Sequence, residues 1–146
     1  MKKFLSLSLI VLLCIGMLTG CGGGGTANNG DNAAAIKVGG TGPLTGGAAI
    51  YGIAVKQAAE MAVEEVNAKG GLQFELKYED DANDAEKAVN AFNNLIDWGM
   101  QISLGSVTST PGTATSDLSQ ENKIFTITPS GSSTKVIEGK DNVFQM

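Results

Sequence analysis

The chain has 146 residues, 42% of them hydrophobic, with 15 acidic residues against 10 lysines and a formal net charge of −5. It contains no histidine and no arginine, so the commonest general base and transition-metal ligand is missing. The acid excess leaves no basic patch for nucleic acid or anionic lipid.

Lys2 and Lys3 precede a nearly unbroken apolar run from Phe4 to Leu18. About fifteen apolar residues are short for a bilayer span and suit the core of a signal peptide. The run ends in Leu18-Thr19-Gly20-Cys21, which resembles the lipobox of bacterial lipoproteins. That resemblance implies a signal peptide over residues 1–20, cleavage before Cys21 and lipid on its thiol. An ordinary signal peptide or a short anchor is the alternative. Cys14 would leave with the signal and Cys21 would carry lipid, so the mature domain is expected to have no disulfide, thiolate or cysteine-based metal site. Loss of Lys2 and Lys3 would take the net charge from −5 to −7. Residues 21–35 are rich in glycine, asparagine and alanine and read as a flexible tether of roughly 20 Å.

The globular part is expected over residues 36–146. Ile36-Lys37-Val38 reads as a short strand ended by Gly39-Gly40. Ile50 to Ala68 fits a helix with Tyr51, Ala54, Val55, Ala58, Met61, Ala62 and Val66 on one side and polar residues on the other. Lys69-Gly70-Gly71 closes it. Leu72 to Glu79 alternates apolar and polar residues, the pattern of a strand at a sheet edge. Asp80 to Asp84 reads as polar loop, with Asn83 and Glu86 as an N-cap and its partner. Ala85, Ala88, Val89, Phe92, Leu95 and Ile96 then follow helical spacing. Ile102 to Leu104 is a third strand. Thr110 suits an N-cap and Pro111 the first turn of a weaker helix reaching about Asn122. Ile124 to Thr128 is a fourth strand, broken by Pro129 to Ser133. Asp141-Asn142 marks a turn, and Val143 to Met146 begins what reads as a fifth strand. A chain ending there is expected to be the front portion of a longer product.

Strands alternating with helices imply a parallel sheet with helices on both faces. With the second strand at an edge, the doubly wound order 2-1-3-4-5 fits, and a ligand is expected beyond the carboxyl ends of the strands near the first and third. The loops there are Thr41 to Ala49, Gly105 to Thr110 and Thr128 to Ser133. Two of them are crowded with hydroxyls: Ser106, Thr108, Ser109 and Thr110 in one, Thr128, Ser130, Ser132 and Ser133 in the other. Serine hydrolysis needs a positioned base, and neither a histidine nor Gly-x-Ser-x-Gly is present. Gly39 to Gly47 lacks the lysine of a phosphate loop. Asp80-Asp81 could suggest a metal but reads as a solvated loop. Two readings remain open: helix capping and turn formation, or binding of a small anion by hydroxyls and unpaired helix amides. No metal, cofactor or catalytic residue is expected.

The stretches GPLTG (Gly42 to Gly46), EEVNAKGG (Glu64 to Gly71), YEDDAND (Tyr78 to Asp84), GSVTS (Gly105 to Ser109), ITPSGSS (Ile127 to Ser133) and DNVFQM (Asp141 to Met146) together resemble the first lobe of the periplasmic binding proteins that serve branched-chain amino acid ABC transporters. Each motif is weak alone; their order and spacing are specific. The resemblance implies a two-lobed type I periplasmic-binding fold that closes on a small amino acid and hands it to a membrane permease. It implies that Ser109 donates to the ligand carboxylate, that Ser130 accepts the ammonium through its carbonyl, and that Ser132 donates from hydroxyl or amide, with Gly131 between them in the same site. Tyr51 would lie against the ligand side chain, or else pack on the sheet as a helix-start aromatic. Thr110 would add a donor or simply cap. The protein is expected to act as a monomer, lipid-anchored on the outer face of the cytoplasmic membrane or periplasmic. A sensing domain with the same fold is the alternative.

Overall fold

A computed structural model describes residues 34–146. The expected signal peptide, Cys21 and the expected linker up to residue 33 lie outside them. The described elements are β1 (Ile36–Gly42), α1 (Ala49–Ala68), β2 (Phe74–Asp80), α2 (Ala85–Trp98), β3 (Ile102–Ser106), α3 (Ser109–Glu121), β4 (Phe125–Thr128), a 3-10 turn (Thr134–Val136) and β5 (Val143–Gln145). All five strands pair in parallel, in the order β2-β1-β3-β4-β5. The expected doubly wound order is therefore the observed one. β2 sits at the edge, as its half-polar alternation requires.

β1 runs to Gly42 rather than stopping at Val38. Gly39 and Gly40 are sites of close packing, not a break. A Cβ on Gly39 would overlap the Met100 side chain, and one on Gly40 would meet the Tyr78 ring at 2.6 Å. Glycine inside a strand commonly marks such an approach.

α2 is capped by Asp84, not Asn83: the Asp84 carboxylate accepts from the Lys87 amide at 2.9 Å. Asn83 stands one residue earlier in a left-handed conformation, φ 60°. Gly99, φ 90°, closes the helix. α3, by contrast, has its cap two residues earlier than expected. Thr108 is its N-cap residue, and Thr110 lies inside the first turn. Pro111 is tolerated there because the first amides of a helix have no intrahelical acceptor to lose.

α2 and α3 share one face of the sheet, where Phe92, Leu95, Met100 and Ile124 form the buried apolar cluster. α1 lies against β1 and β2 on the other. It buries little: Gly52 is its one fully buried residue, and Met61 is 71% exposed although its spacing places it on the apolar side.

Candidate functional site: the carboxyl end of the sheet

β3 and β4 approach closely at their carboxyl ends. Gly105 adopts φ +51°, and a Cβ there would lie 2.7 Å from the Ile127 carbonyl. This brings the two hydroxyl-rich loops side by side. Three hydroxyls then tie the tip of β4 to the tip of β3. Thr128 Oγ1 donates to the Ser106 carbonyl (2.8 Å) and accepts from the Gly131 amide (3.1 Å). Ser130 Oγ donates to the Val107 carbonyl (2.7 Å). Ser109 Oγ accepts from the Ser133 amide (3.1 Å). Beneath them Thr41 and Ser106 share a hydroxyl pair at 2.7 Å, and Ser106 approaches Thr115 at 3.4 Å.

Of the residues expected in a site, the fold brings Ser109, Thr110, Ser130 and Gly131 to one corner, with Ser132 exposed on the loop between Gly131 and Ser133. Ser109 and Thr110 open α3, where unpaired amides and the positive end of the helix dipole favour an anion. A hydroxyl has one donor and two acceptor positions. Ser109 uses an acceptor on Ser133, so its proton stays free to donate. Ser130 spends its hydroxyl on Val107, which leaves its carbonyl as the group it could offer. Gly131 has both polar groups engaged: its amide on Thr128 and its carbonyl by the Gln145 side chain. What Gly131 supplies is space, since a Cβ would lie 2.7 Å from Thr128 Oγ1. Tyr51, 61% exposed, stands out from the first turn of α1 and is not packed on the sheet. Among the described residues no side-chain hydrogen bond joins it to the hydroxyl corner.

Two contributors escaped the sequence reading. Ser133 is the residue that orients Ser109, and only its membership of the second hydroxyl cluster hinted at this. Lys135 lines an open cavity of about 400 Å³ together with Ser109, Thr110 and Ser133. It puts a positive charge beside the α3 N-terminus that no motif announced.

The neighbouring corner, at the ends of β1 and β2, is built from carboxylates. Asp80 Oδ1 accepts from the Leu44 and Ala82 amides (2.7 and 2.8 Å), and Oδ2 accepts from the Thr45 hydroxyl (2.6 Å). Desolvation pushes its pKa up, but the Thr45 hydroxyl and the amides of Leu44, Ala82 and Thr45 outweigh it and hold the carboxyl below its ordinary value. Asp81 behaves oppositely. It is fully buried, its Oδ1 accepts from the Asn83 amide at 2.8 Å, and its Oδ2 has no partner. Desolvation raises its pKa to about 6 against the Asn83 bond, with the Asp80 and Asp84 charges adding to the rise. The expected solvated loop is thus a clamp and a buried acid. The two corners touch through Thr108, whose hydroxyl donates to Asn83 Oδ1 at 2.7 Å.

A parallel doubly wound sheet with polar loops gathered beyond its carboxyl ends is the architecture of a small-molecule binding lobe. Comparison with known proteins makes the class specific. The family described as periplasmic binding protein matches residues 35–146, and the chain belongs to that family. The Leu/Ile/Val-binding protein homolog 3 of Brucella melitensis is 36% identical over 114 residues, covering 75% of this chain and 31% of that protein. The branched-chain amino acid transporter substrate binding protein LivJ of Streptococcus pneumoniae, solved with isoleucine, superposes with a TM-score of 0.72 at 28% identity, over 76% of this chain and 33% of that one. An ABC transporter solute binding protein of R. palustris, solved with benzoate, gives 0.68 at 28% identity, over 76% of this chain and 32% of that one. The chain spans about a third of the length of these relatives.

Proposed function

We propose that this chain is the first lobe of an extracytoplasmic solute receptor for an ABC importer. It binds a branched-chain or related small amino acid between two lobes and presents it to the permease; no covalent chemistry is involved. The observation that carries this reading is the Ser109 hydroxyl. It is held by the Ser133 amide at 3.1 Å, at the first turn of α3, with its proton uncommitted. A carboxylate placed there meets that proton and the free helix amides. Hydrogen bonds to a charged group are worth roughly 1.5–3 kcal/mol each, so several suffice without an arginine. In this reading residues 36–146 form the lobe, 1–20 are a signal peptide, and Cys21 carries lipid at the head of a linker over 21–35. The protein is a monomer held on the outer face of the cytoplasmic membrane or in the periplasm. Ser130 offers its carbonyl to the ammonium, Ser132 adds a donor, and Tyr51 reaches the ligand side chain across the cleft.

A second reading, a receptor for another small carboxylate, is favoured by the relative solved with benzoate. The seat described here recognises the carboxylate that both ligand classes share. Titration calorimetry of the full-length protein with leucine, isoleucine, valine and benzoate separates the two. Ser109→Ala is expected to weaken the ligand that binds by about tenfold, or about 1.4 kcal/mol. Unchanged affinity removes Ser109 from the site.

A further inference from the structure

A threonine at an N-cap normally turns its oxygen onto the first amides of its helix. The other polar N-cap residues among the described residues do so. Asp84 accepts from the Lys87 amide at the head of α2, and Ser133 accepts from the Lys135 amide at the head of the 3-10 turn. Thr108 does not. Its backbone is extended, φ −114° and ψ 158°, much like that of Asp84, φ −117° and ψ 135°. Yet its hydroxyl accepts from none of the first amides of α3. It donates across to the neighbouring loop instead, to Asn83 Oδ1 at 2.7 Å.

Asn83 is firmly placed for this hold. It stands at φ 60°, a left-handed conformation that asparagine enters more readily than most side chains. Its amide donates to Asp81 Oδ1 at 2.8 Å, and the next amide, that of Asp84, donates to the Asp81 carbonyl at 2.9 Å. Asp81 itself is fully buried. On the other side of the bond, an N-cap side chain reaches the amide of the second or third helical residue. In α3 the third is Pro111, which has no N–H. The Thr110 amide is therefore the one that Thr108 could take. Thr110 is exposed and lines the cavity of about 400 Å³ with Ser109 and Ser133.

We infer that Asn83 is a positioning residue of the anion seat: it holds the Thr108 hydroxyl off the head of α3 and so keeps the Thr110 amide free for a ligand carboxylate. The inference rests on the reading of the seat given above and adds to it a residue that does not touch the ligand. A hydroxyl can donate and accept at once, so a tie between two loops does not by itself uncap a helix. This tie does, because it fixes the oxygen where no helix amide reaches it. The carboxylate then takes the place of the cap that Thr108 withholds. In the empty protein the same amide is left to water, as the first amides of an uncapped helix are.

The test is made on the full-length protein with Asn83→Gly, which removes the side chain while still accepting φ 60°, and with the pair Asn83→Gly/Thr108→Val, in which the freed N-cap has no oxygen. Amide exchange without ligand comes first. The Thr110 amide is expected to exchange about tenfold more slowly in Asn83→Gly than in the wild type, because Thr108 now caps it, and to return to the wild-type rate in the pair. A loop merely loosened by the substitution would exchange faster, not slower, and that result, or no change, overturns the inference. Calorimetry follows with whichever of leucine, isoleucine, valine and benzoate binds the wild type. Asn83→Gly is expected to weaken binding about tenfold, and the pair to bind about tenfold more tightly than Asn83→Gly. A simple loss of rigidity predicts that the second substitution restores nothing, and a pair no tighter than Asn83→Gly overturns the inference. Ser109→Ala, measured alongside, keeps the two readings apart. If it binds as the wild type does, the seat and this inference fall together; if it weakens binding and Asn83→Gly does not, only this inference falls.

Discussion

Two corners at the same end of one sheet are held by different chemistry. At the tips of β1 and β2, carboxylates do the tying: Asp80 gathers two amides and a hydroxyl, and Asp81 is buried beside it. At the tips of β3 and β4, neutral hydroxyls do it, with Thr128, Ser130 and Ser109 each bridging to the facing loop. The lesson concerns what is left over for a ligand. A carboxylate clamp uses its charge internally and repels an incoming acid. A hydroxyl clamp can accept from the protein and still donate outward. The proposed anion seat is assigned to the hydroxyl corner for that reason, and the carboxylate corner sets the shape of the loop beside it.

The largest expected effect comes from closing the gap that lets the hydroxyl corner form. Gly105→Ala imposes a side chain at φ +51° and places Cβ 2.7 Å from the Ile127 carbonyl. Backbone strain and overlap together are expected to cost about 4 kcal/mol in chemical denaturation of the protein. A loss below about 1 kcal/mol would show that β3 and β4 can separate freely. Next is Thr128→Val, which keeps the shape but leaves the Ser106 carbonyl and Gly131 amide unpaired in a buried setting. The expected loss is about 2–3 kcal/mol, with Thr128→Ser nearly neutral. If valine and serine behave alike, the hydroxyl is not what joins the two tips.

The corners should also differ in their response to pH, since neither Ser109, Ser130 nor Thr128 titrates in the accessible range. For Asp81 the folded pKa, about 6, lies above the 3.8 of an ordinary aspartate. Below the lower value both states are protonated and there is no penalty. As pH rises between the two, the unfolded chain releases its proton first and the fold loses stability, on the order of 3 kcal/mol by neutral pH. Stability is therefore expected to climb as pH falls from 7 to 5. Asp81→Asn should remove that slope, and thermal unfolding across this range would reveal whether it does. A wild-type profile that is flat, or a slope that survives in Asp81→Asn, would place the titrating group elsewhere.

Much of the fold was legible in the sequence because the governing signals are local. The alternation from Leu72 to Glu79 marked an edge strand, and the spacing of Ala88, Phe92 and Leu95 marked a helix whose buried side is the one observed. Val143 and Phe144 do begin a fifth strand. What failed depends on residues far away in the chain. Gly39-Gly40 looked like a stop because Met100 and Tyr78, which fill the space of their absent side chains, lie tens of residues later. Asn83 and Thr110 looked like caps because both follow the right composition, yet Asp84 and Thr108 hold those places once the loops pack. Asp81 looked solvated because nothing in its neighbourhood announces burial. The hydroxyl corner was legible as a density of serine and threonine, but not as a geometry. Ser133 could not be singled out from Ser132 until the hydrogen bond to Ser109 was seen.

The smallest expected effect tests the carboxylate corner where it borders the cleft. Asp80→Asn removes the charge while keeping one oxygen. That oxygen can serve the Leu44 and Ala82 amides, but the amide nitrogen now meets the Thr45 hydroxyl, which must turn to accept. Because the group is only partly buried, water replaces much of what is lost, and global stability should change by less than about 1 kcal/mol. The consequence should be local. The Leu44 amide, bound to Asp80 at 2.7 Å, is expected to exchange its hydrogen about tenfold faster, while the Gly131 amide on Thr128 keeps its rate. A wild-type protein taken to acid should reproduce the pattern. The lowered pKa of Asp80 means its contribution is present above the unfolded value and is lost only as pH falls through the folded one. Equal acceleration at Leu44 and Gly131 would mean that the two corners open as one unit, and that the Thr108–Asn83 hydrogen bond couples them more tightly than their separate chemistries suggest.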